Sequence, residues 1–314
     1  MLMLGSLIGL LFMGIAVDTT TLGGTSDEDD DDETGEGTGT GTGTGTGGGT
    51  GTGGGTQQGQ TLNGSEGSDL LTGEGTDDLL AGHGGNDDLH GGLGNDTLQG
   101  GDGTDWIYAD GDYGQGGADS LDGGAGDDSL AGQGGNDTVR GGTGNDTMFG
   151  GDGDDLLEGG AGTDWISGNA GNDTLIAGAG GDDLDAGEGN DVLYGSAEGD
   201  RAWLHGDEGD DTLFGGAGDF VEGGAGQDRF VLDKVDGDVP GTEVPVIGDY
   251  NSTEDLIELR YEDDGSGVAP VVSLDRDDDG ATVIRMDGVA VGRLMNAQGL
   301  DLDNIVLTAM RPAA

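Results

Sequence analysis

An aspartate returns every nine residues through more than half of this chain, always in the same company. The cleanest copies read GGLGNDTLQ (Gly91–Gln99), GGTGNDTMF (Gly141–Phe149) and GGAGTDWIS (Gly159–Ser167). The unit is G-G-x-G-x-D-x-U-x, with U an aliphatic residue. Eighteen copies begin at residues 64, 73, 82, 91, 100, 114, 123, 132, 141, 150, 159, 168, 177, 186, 195, 206, 215 and 223. Position 6 carries Asp69, Asp78, Asp87, Asp96, Asp105, Asp119, Asp128, Asp137, Asp146, Asp155, Asp164, Asp173, Asp182, Asp191, Asp211 and Asp228. Asp200 and Asp219 complete the set if the two-residue insertion in Gly195–His205 and the one-residue deletion in Gly215–Glu222 fall beside them. The other break in phase is a five-residue insertion, Ala109–Tyr113.

Carboxylates repeated in this way serve as ligands before they serve as acid–base pairs, because a reaction needs one pair and not eighteen groups. The chain has no H-E-x-x-H, no G-x-S-x-G and no cysteine, so the usual nucleophiles and zinc-protease ligands are missing. The expectation is a protein without enzymatic activity. An oxygen-only donor set suits Ca²⁺. Mg²⁺ demands a stricter octahedron and retained water, and Zn²⁺ would want His or Cys. The three histidines, His83, His90 and His205, read as strand-edge or turn residues.

The elements that must position these carboxylates follow from the unit. Glycines at positions 1, 2 and 4 allow positive φ and close approach of neighbouring chains. The apolar side chain at position 8, from Leu71 to Phe230, points inward, and positions 7 and 9 point out, as alternation along a strand requires. Each copy then reads as a six-residue turn and a three-residue strand, and two copies make one flattened coil. Nine coils at a strand spacing of about 4.8 Å give a roll roughly 40 Å long. Turns two copies apart stack, and each gap between them collects aspartate carboxylates and freed turn carbonyls.

Composition agrees. Of 314 residues, 77 are Gly and 4% are aromatic, which rules out a conventional core of large interlocking side chains. A stacked repeat buries a thin, regular core instead. The net charge is −56 and no Lys or Arg occurs between Met1 and Val139, which excludes nucleic acid and anionic membrane surfaces as partners. One aliphatic group per nine Gly-rich residues cannot offset the entropy of ordering them, so folding is expected to depend on ion binding.

Outside the repeats, Met1–Val17 is an apolar run with no preceding basic residue and no clear A-x-A site. It reads as an uncleaved membrane-associated helix, with a weak signal peptide or a packing segment as alternatives. Residues 18–61 form an acidic and Gly/Thr-rich flexible linker. The roll occupies residues 62–232. Residues 233–314 hold several β-type runs and are expected to form a small, mainly antiparallel region. Asp275–Gly280 has the D-x-D-x-D-G start of an EF-hand loop, but Met286 stands where the bidentate Glu belongs; a tight hairpin turn is the better reading. Trp106, Trp165 and Trp203 fall on outward strand positions, either as isolated exposed aromatics or as a sugar- or surface-binding patch.

Residues 64–231 resemble the RTX (repeats-in-toxin) family of hemolysin-type calcium-binding repeats. The resemblance implies an all-β fold: a parallel β-roll, that is, a calcium-stapled two-sheet solenoid, followed by the small C-terminal β region and preceded by a short apolar helix and a disordered linker. It implies multiple Ca²⁺ ions held by the position-6 aspartates and by the turn glycines around them. In the cleanest copies these are Gly91, Gly92, Gly94, Gly123, Gly124, Gly126, Gly141, Gly142, Gly144, Gly150, Gly151, Gly153, Gly159, Gly160 and Gly162. The stretch GGAGQDRFVLD (Gly223–Asp233) followed by VIGDYNSTEDLIEL (Val246–Leu259) looks like the end of such arrays, which implies export by the type I secretion apparatus and folding outside the cell. Met1–Val17 departs from that pattern and points to tethering at a membrane or cell surface. The alternative function is a surface-held adhesion or surface-layer module that uses the roll as a calcium-rigidified stalk, with a cell-surface or polysaccharide partner.

Overall fold

The computed structural model describes residues 50–52, 59–111, 116–196, 200–233, 243–263, 265, 268–297 and 299–310. The helix expected at Met1–Val17 and most of the linker lie outside them. Everything described belongs to the compact unit Thr40–Ala314, and among these residues no helix is long and apolar enough to cross a membrane.

The chain winds as a parallel β-solenoid. Successive strands fall alternately into two sheets, one of 14 strands and one of 12. The register steps by eighteen residues: Val139 pairs with Leu157 and Leu157 with Leu175. One coil is therefore two copies of the unit. The insertion beginning at Ala109 lengthens one step in each sheet without shifting phase, so Leu98 still faces Leu121 and Ile107 faces Leu130. The position-8 side chains from Leu80 to Leu213 are all fully buried, stacked as one row on each sheet and facing each other between the two, while positions 7 and 9 face outward.

The strands are longer than the unit suggested. Most run six residues, as in Thr138–Thr143 and Thr147–Asp152. They take in positions 7 to 9 and then positions 1 to 3 of the next copy, so the turn shrinks to positions 4 to 6. Glycine makes this possible. Position 1 faces inward, and a Cβ on Gly141 would lie 2.4 Å from Asp146 Oδ2 and 2.6 Å from the Gly159 carbonyl oxygen. At position 4, Gly144 has φ of 131° and a Cβ there would lie 1.8 Å from the Gly126 carbonyl oxygen one coil below. Only glycine lets the backbones stack this closely.

Both sheets run on past the repeats. Val246–Ile247 pairs with Phe220–Val221, and Leu256–Glu262 pairs with Arg229–Asp233, still in parallel. Ile305–Met310 adds a last parallel strand to the second sheet. In the first sheet, Val289–Leu294 joins Val246–Ile247 in parallel and then turns back through Thr282–Met286 and Val272–Arg276 as an antiparallel meander. The C-terminal sheet is thus mixed. Asp275–Gly280 forms the hairpin turn between two of these strands. Asp277 Oδ1 accepts the N–H groups of Asp279 and Ala281, and Arg293 binds its other oxygen at 2.7 Å.

Candidate metal centre

The position-6 aspartates form two rows, one along each edge of the roll, where the turns stack. Each carboxylate joins two coils. Oδ1 accepts the backbone N–H of the aspartate one coil earlier: Asp128 N–H donates to Asp146 at 2.9 Å, and Asp146 N–H to Asp164 at 2.9 Å. The other row does the same from Asp137 to Asp155 at 2.7 Å and from Asp155 to Asp173 at 2.8 Å. Oδ2 is different. In Asp87, Asp96, Asp105, Asp119, Asp128, Asp137, Asp146, Asp155, Asp164, Asp173, Asp182, Asp191 and Asp211 it is buried and has no hydrogen-bond partner.

A buried anionic oxygen without a partner is expensive, and the cost shows in proton affinity. Burial lifts Asp96, Asp119, Asp128, Asp137, Asp173 and Asp211 from 3.8 to about 7. It lifts Asp146, Asp155, Asp182 and Asp228 to about 6. The N–H held by Oδ1 pulls the other way and loses. Neighbouring aspartates of the same row add to the rise in most of these groups.

The donors beside each Oδ2 are oxygens. The position-1 carbonyl one coil on approaches the same point: Asp155 Oδ2 and the Gly168 carbonyl oxygen lie 2.4 and 2.8 Å from where a Gly150 Cβ would stand. Position-4 carbonyls point along the stack toward the next turn. Partnerless carboxylate oxygens among backbone carbonyls make a hard-donor set that fits Ca²⁺. No imidazole joins it. His90 stacks on Tyr108 with ring centroids 5.3 Å apart, and His205 sits on the outer face near Asp183 and Glu222.

The sixteen secure position-6 aspartates all take their places in the two rows, and Asp219 joins them, buried with Oδ1 on the Ala202 N–H. Asp200 does not. It is exposed, and Trp203 N–H donates to the Asp182 carbonyl as a position-7 residue does, so Ala202 holds position 6. The inserted residues fall before the turn ends and push the aspartate out of line. One row therefore lacks a carboxylate at Ala202. The Oδ2 of Asp219 accepts Gly216 N–H at 2.7 Å.

Three features escape the nine-residue grammar. Asp255 extends the second row beyond the repeats: its Oδ1 accepts Asp228 N–H at 3.2 Å. The signal was there, since 27 residues separate the two and 27 is three nines, but no Gly-rich turn precedes it. An outer ladder runs at position 5, where side-chain oxygens of Asp77, Asn95, Asp127 and Asn145 accept the position-5 N–H one coil later. Asp110, in the insertion, is buried as well.

The family of RTX calcium-binding nonapeptide repeats matches residues 54–89, 82–112, 113–148, 131–166, 149–184, 176–203, 185–219 and 199–230. Together these cover more than half of the chain. The chain belongs to this family. As an RTX β-roll it is a calcium-binding protein. Among the described residues no three carboxylate or imidazole side chains gather into a metal cluster.

No curated protein matches the chain. Among solved structures it is similar to the AlgE6R3 subunit of the Azotobacter vinelandii mannuronan C5-epimerase, with 27% identity over 50% of this chain and 80% of that one and a TM-score of 0.22. It is also similar to the extracellular lipase LipA of Serratia marcescens, with 20% identity over 80% of this chain and a TM-score of 0.21. The chain spans 40% of the lipase's length.

Proposed function

We propose that this protein is a non-catalytic RTX β-roll, exported unfolded by a type I secretion apparatus and folded by calcium outside the cell. The observation that supports this reading is the pair of rows of buried carboxylates, thirteen of which, between Asp87 and Asp211, have an Oδ2 without a hydrogen-bond partner. The position-6 aspartates from Asp69 to Asp228 are the side-chain ligands, and the turn glycines supply carbonyls. At cytosolic calcium levels the rows repel themselves and the roll stays open. At the roughly 10⁻⁴–10⁻³ M typical of extracellular calcium modules, the ions bridge the turns and the coils close. The test is a calcium titration of the full chain followed by circular dichroism and scattering, together with fractionation of a tagged protein between cells and medium. A cooperative coil-to-β transition and recovery in the medium support the reading. A β signal indifferent to excess chelator refutes it.

A second reading, a surface-held adhesion module with the roll as stalk, draws on one feature. Trp106, Trp165 and Trp203 are exposed and share one sheet, with Phe149 edge-on to Trp165 and Phe220 beside Trp203. Pull-down on cells and on insoluble polysaccharide, with and without calcium, separates the two readings.

A further inference from the structure

Asp110 does not belong to the nine-residue pattern. It lies in the inserted segment between the fifth and sixth copies and pairs in the sheet with Gly92, a position-2 glycine. An aspartate entering that place would be expected to turn its carboxylate to water. Instead Asp110 is only 4% exposed, and neither of its oxygens completes a hydrogen bond. N–H groups of Gly134 and Gly117 approach it. Its Oδ2 and the Gly134 carbonyl oxygen crowd one point, 2.2 and 1.4 Å from where a Cβ on Gly116 would be. Two oxygens that close repel unless a cation or a proton lies between them. Three row aspartates, Asp96, Asp119 and Asp137, stand near enough to Asp110 for their charges to interact with it.

From this placement we propose that Asp110 founds a calcium site of its own, outside the repeat grammar, with both carboxylate oxygens and the Gly134 carbonyl as protein ligands and water completing the shell. The proposal rests on the calcium-binding reading above and adds one ion to it. More negative charge surrounds this point than an ordinary inter-turn gap, because the extra carboxylate is added to an unbroken row. Affinity in oxygen sites rises with ligand charge, so this site fills early in a titration. Anchoring the insertion there would keep Leu98 and Leu121 in phase across it.

The test counts ions. Equilibrium dialysis with radioactive calcium is run on the full chain, on Asp110→Asn and on Asp122→Asn, an exposed aspartate on the outer face. Asp110→Asn should bind one ion fewer and lose the tightest step, with first binding shifted by about tenfold in calcium. Asp122→Asn should match the parent. An unchanged count and an unchanged first step in Asp110→Asn overturn the proposal. If that variant fails to fold, a calcium-loaded crystal structure of the parent decides. Anomalous density beside the Asp110 oxygens supports the site, and a protonated carboxyl donating to the Gly134 carbonyl with no ion overturns it. A parent chain that binds no calcium at all defeats the functional reading itself, whereas a parent that binds while Asp110→Asn is unaffected defeats only this site.

Discussion

Acid should partly replace calcium. In the folded chain, Asp96, Asp119, Asp128, Asp137, Asp173 and Asp211 hold their protons up to about pH 7, against 3.8 for an ordinary aspartate. In the unfolded chain they ionise at the ordinary value. A carboxylate whose proton affinity rises on folding opposes folding in full above its folded pKa, and that opposition fades as pH falls from the folded value to the unfolded one. At pH 8 each of these six opposes metal-free folding by roughly 4 kcal/mol, and at pH 5 by roughly 2 kcal/mol. Three such groups at pH 8 match the whole 5–15 kcal/mol of a typical domain's stability. The metal-free chain should therefore be coil at pH 8, stay so at pH 5, where these six groups together still oppose folding by about 12 kcal/mol, and gain β structure and compactness as pH falls toward 4. Calcium at pH 8 should give the same product. The assay is far-ultraviolet circular dichroism and small-angle scattering in chelator, stepped from pH 8 to pH 4, then repeated in saturating calcium at pH 8. Full β signal in chelator at pH 8 would show that the buried carboxylates cost nothing, and no gain by pH 4 would show that their protonation does not relieve the fold. Either result refutes the reasoning.

Asp146→Asn keeps the acceptor for Asp128 N–H but removes a charge from the middle of a row; calcium dialysis should show at least one ion lost, and the folding midpoint should move several-fold higher in calcium. Gly144→Ala places a methyl against the Gly126 carbonyl at positive φ and should cost about 1–3 kcal/mol by calcium-saturated thermal melting, whereas Gly75→Ala, with nothing within 4 Å of the new methyl, should be neutral within about 0.5 kcal/mol. Ala202→Asp restores the missing row member beside Asp182 and Asp219; dialysis should count one additional ion and the midpoint should fall. Calcium affinity of the parent should weaken as pH drops toward 4, where protons compete for the rows, and isothermal titration in buffers of different ionisation heat should show protons released as calcium binds.

Much of this architecture is legible in the sequence because a single period controls it. A nine-residue beat with Leu98, Leu121 or Leu157 at position 8 fixes which side chains are buried. Doubling the beat gives the coil, and the aspartate five residues after each leading glycine must then fall at a stacked edge. Strand length was not legible. Gly141 and Gly142 look like turn residues in isolation, and only the stacking of neighbours makes them strand. Breaks in phase were the other blind spot. Sequence alone gives no means of deciding on which side of Asp200 the inserted residues sit, and hydrogen bonding between coils places Ala202 there instead. Before Asp255, Tyr250, Asn251 and Thr253 stand where the unit has its glycines, so its membership of the row depends on contacts made far along the chain. Asp110 has no periodic partner at all, and only its burial singles it out.

The direction of the Oδ1 bonds has a consequence of its own. Apart from Asp182, which faces Ala202, and Asp219, whose N–H donates to the Gly216 carbonyl, each position-6 amide of the rows is met by a carboxylate from a later coil, from Asp69 held by Asp87 to Asp228 held by Asp255. Each rung is therefore finished by chain that follows it. A nascent or translocating segment cannot complete its own edge until the next eighteen residues arrive. Shortening the array from its far end leaves the preceding rung bare, whereas trimming from the front removes residues on which no later amide in the rows relies.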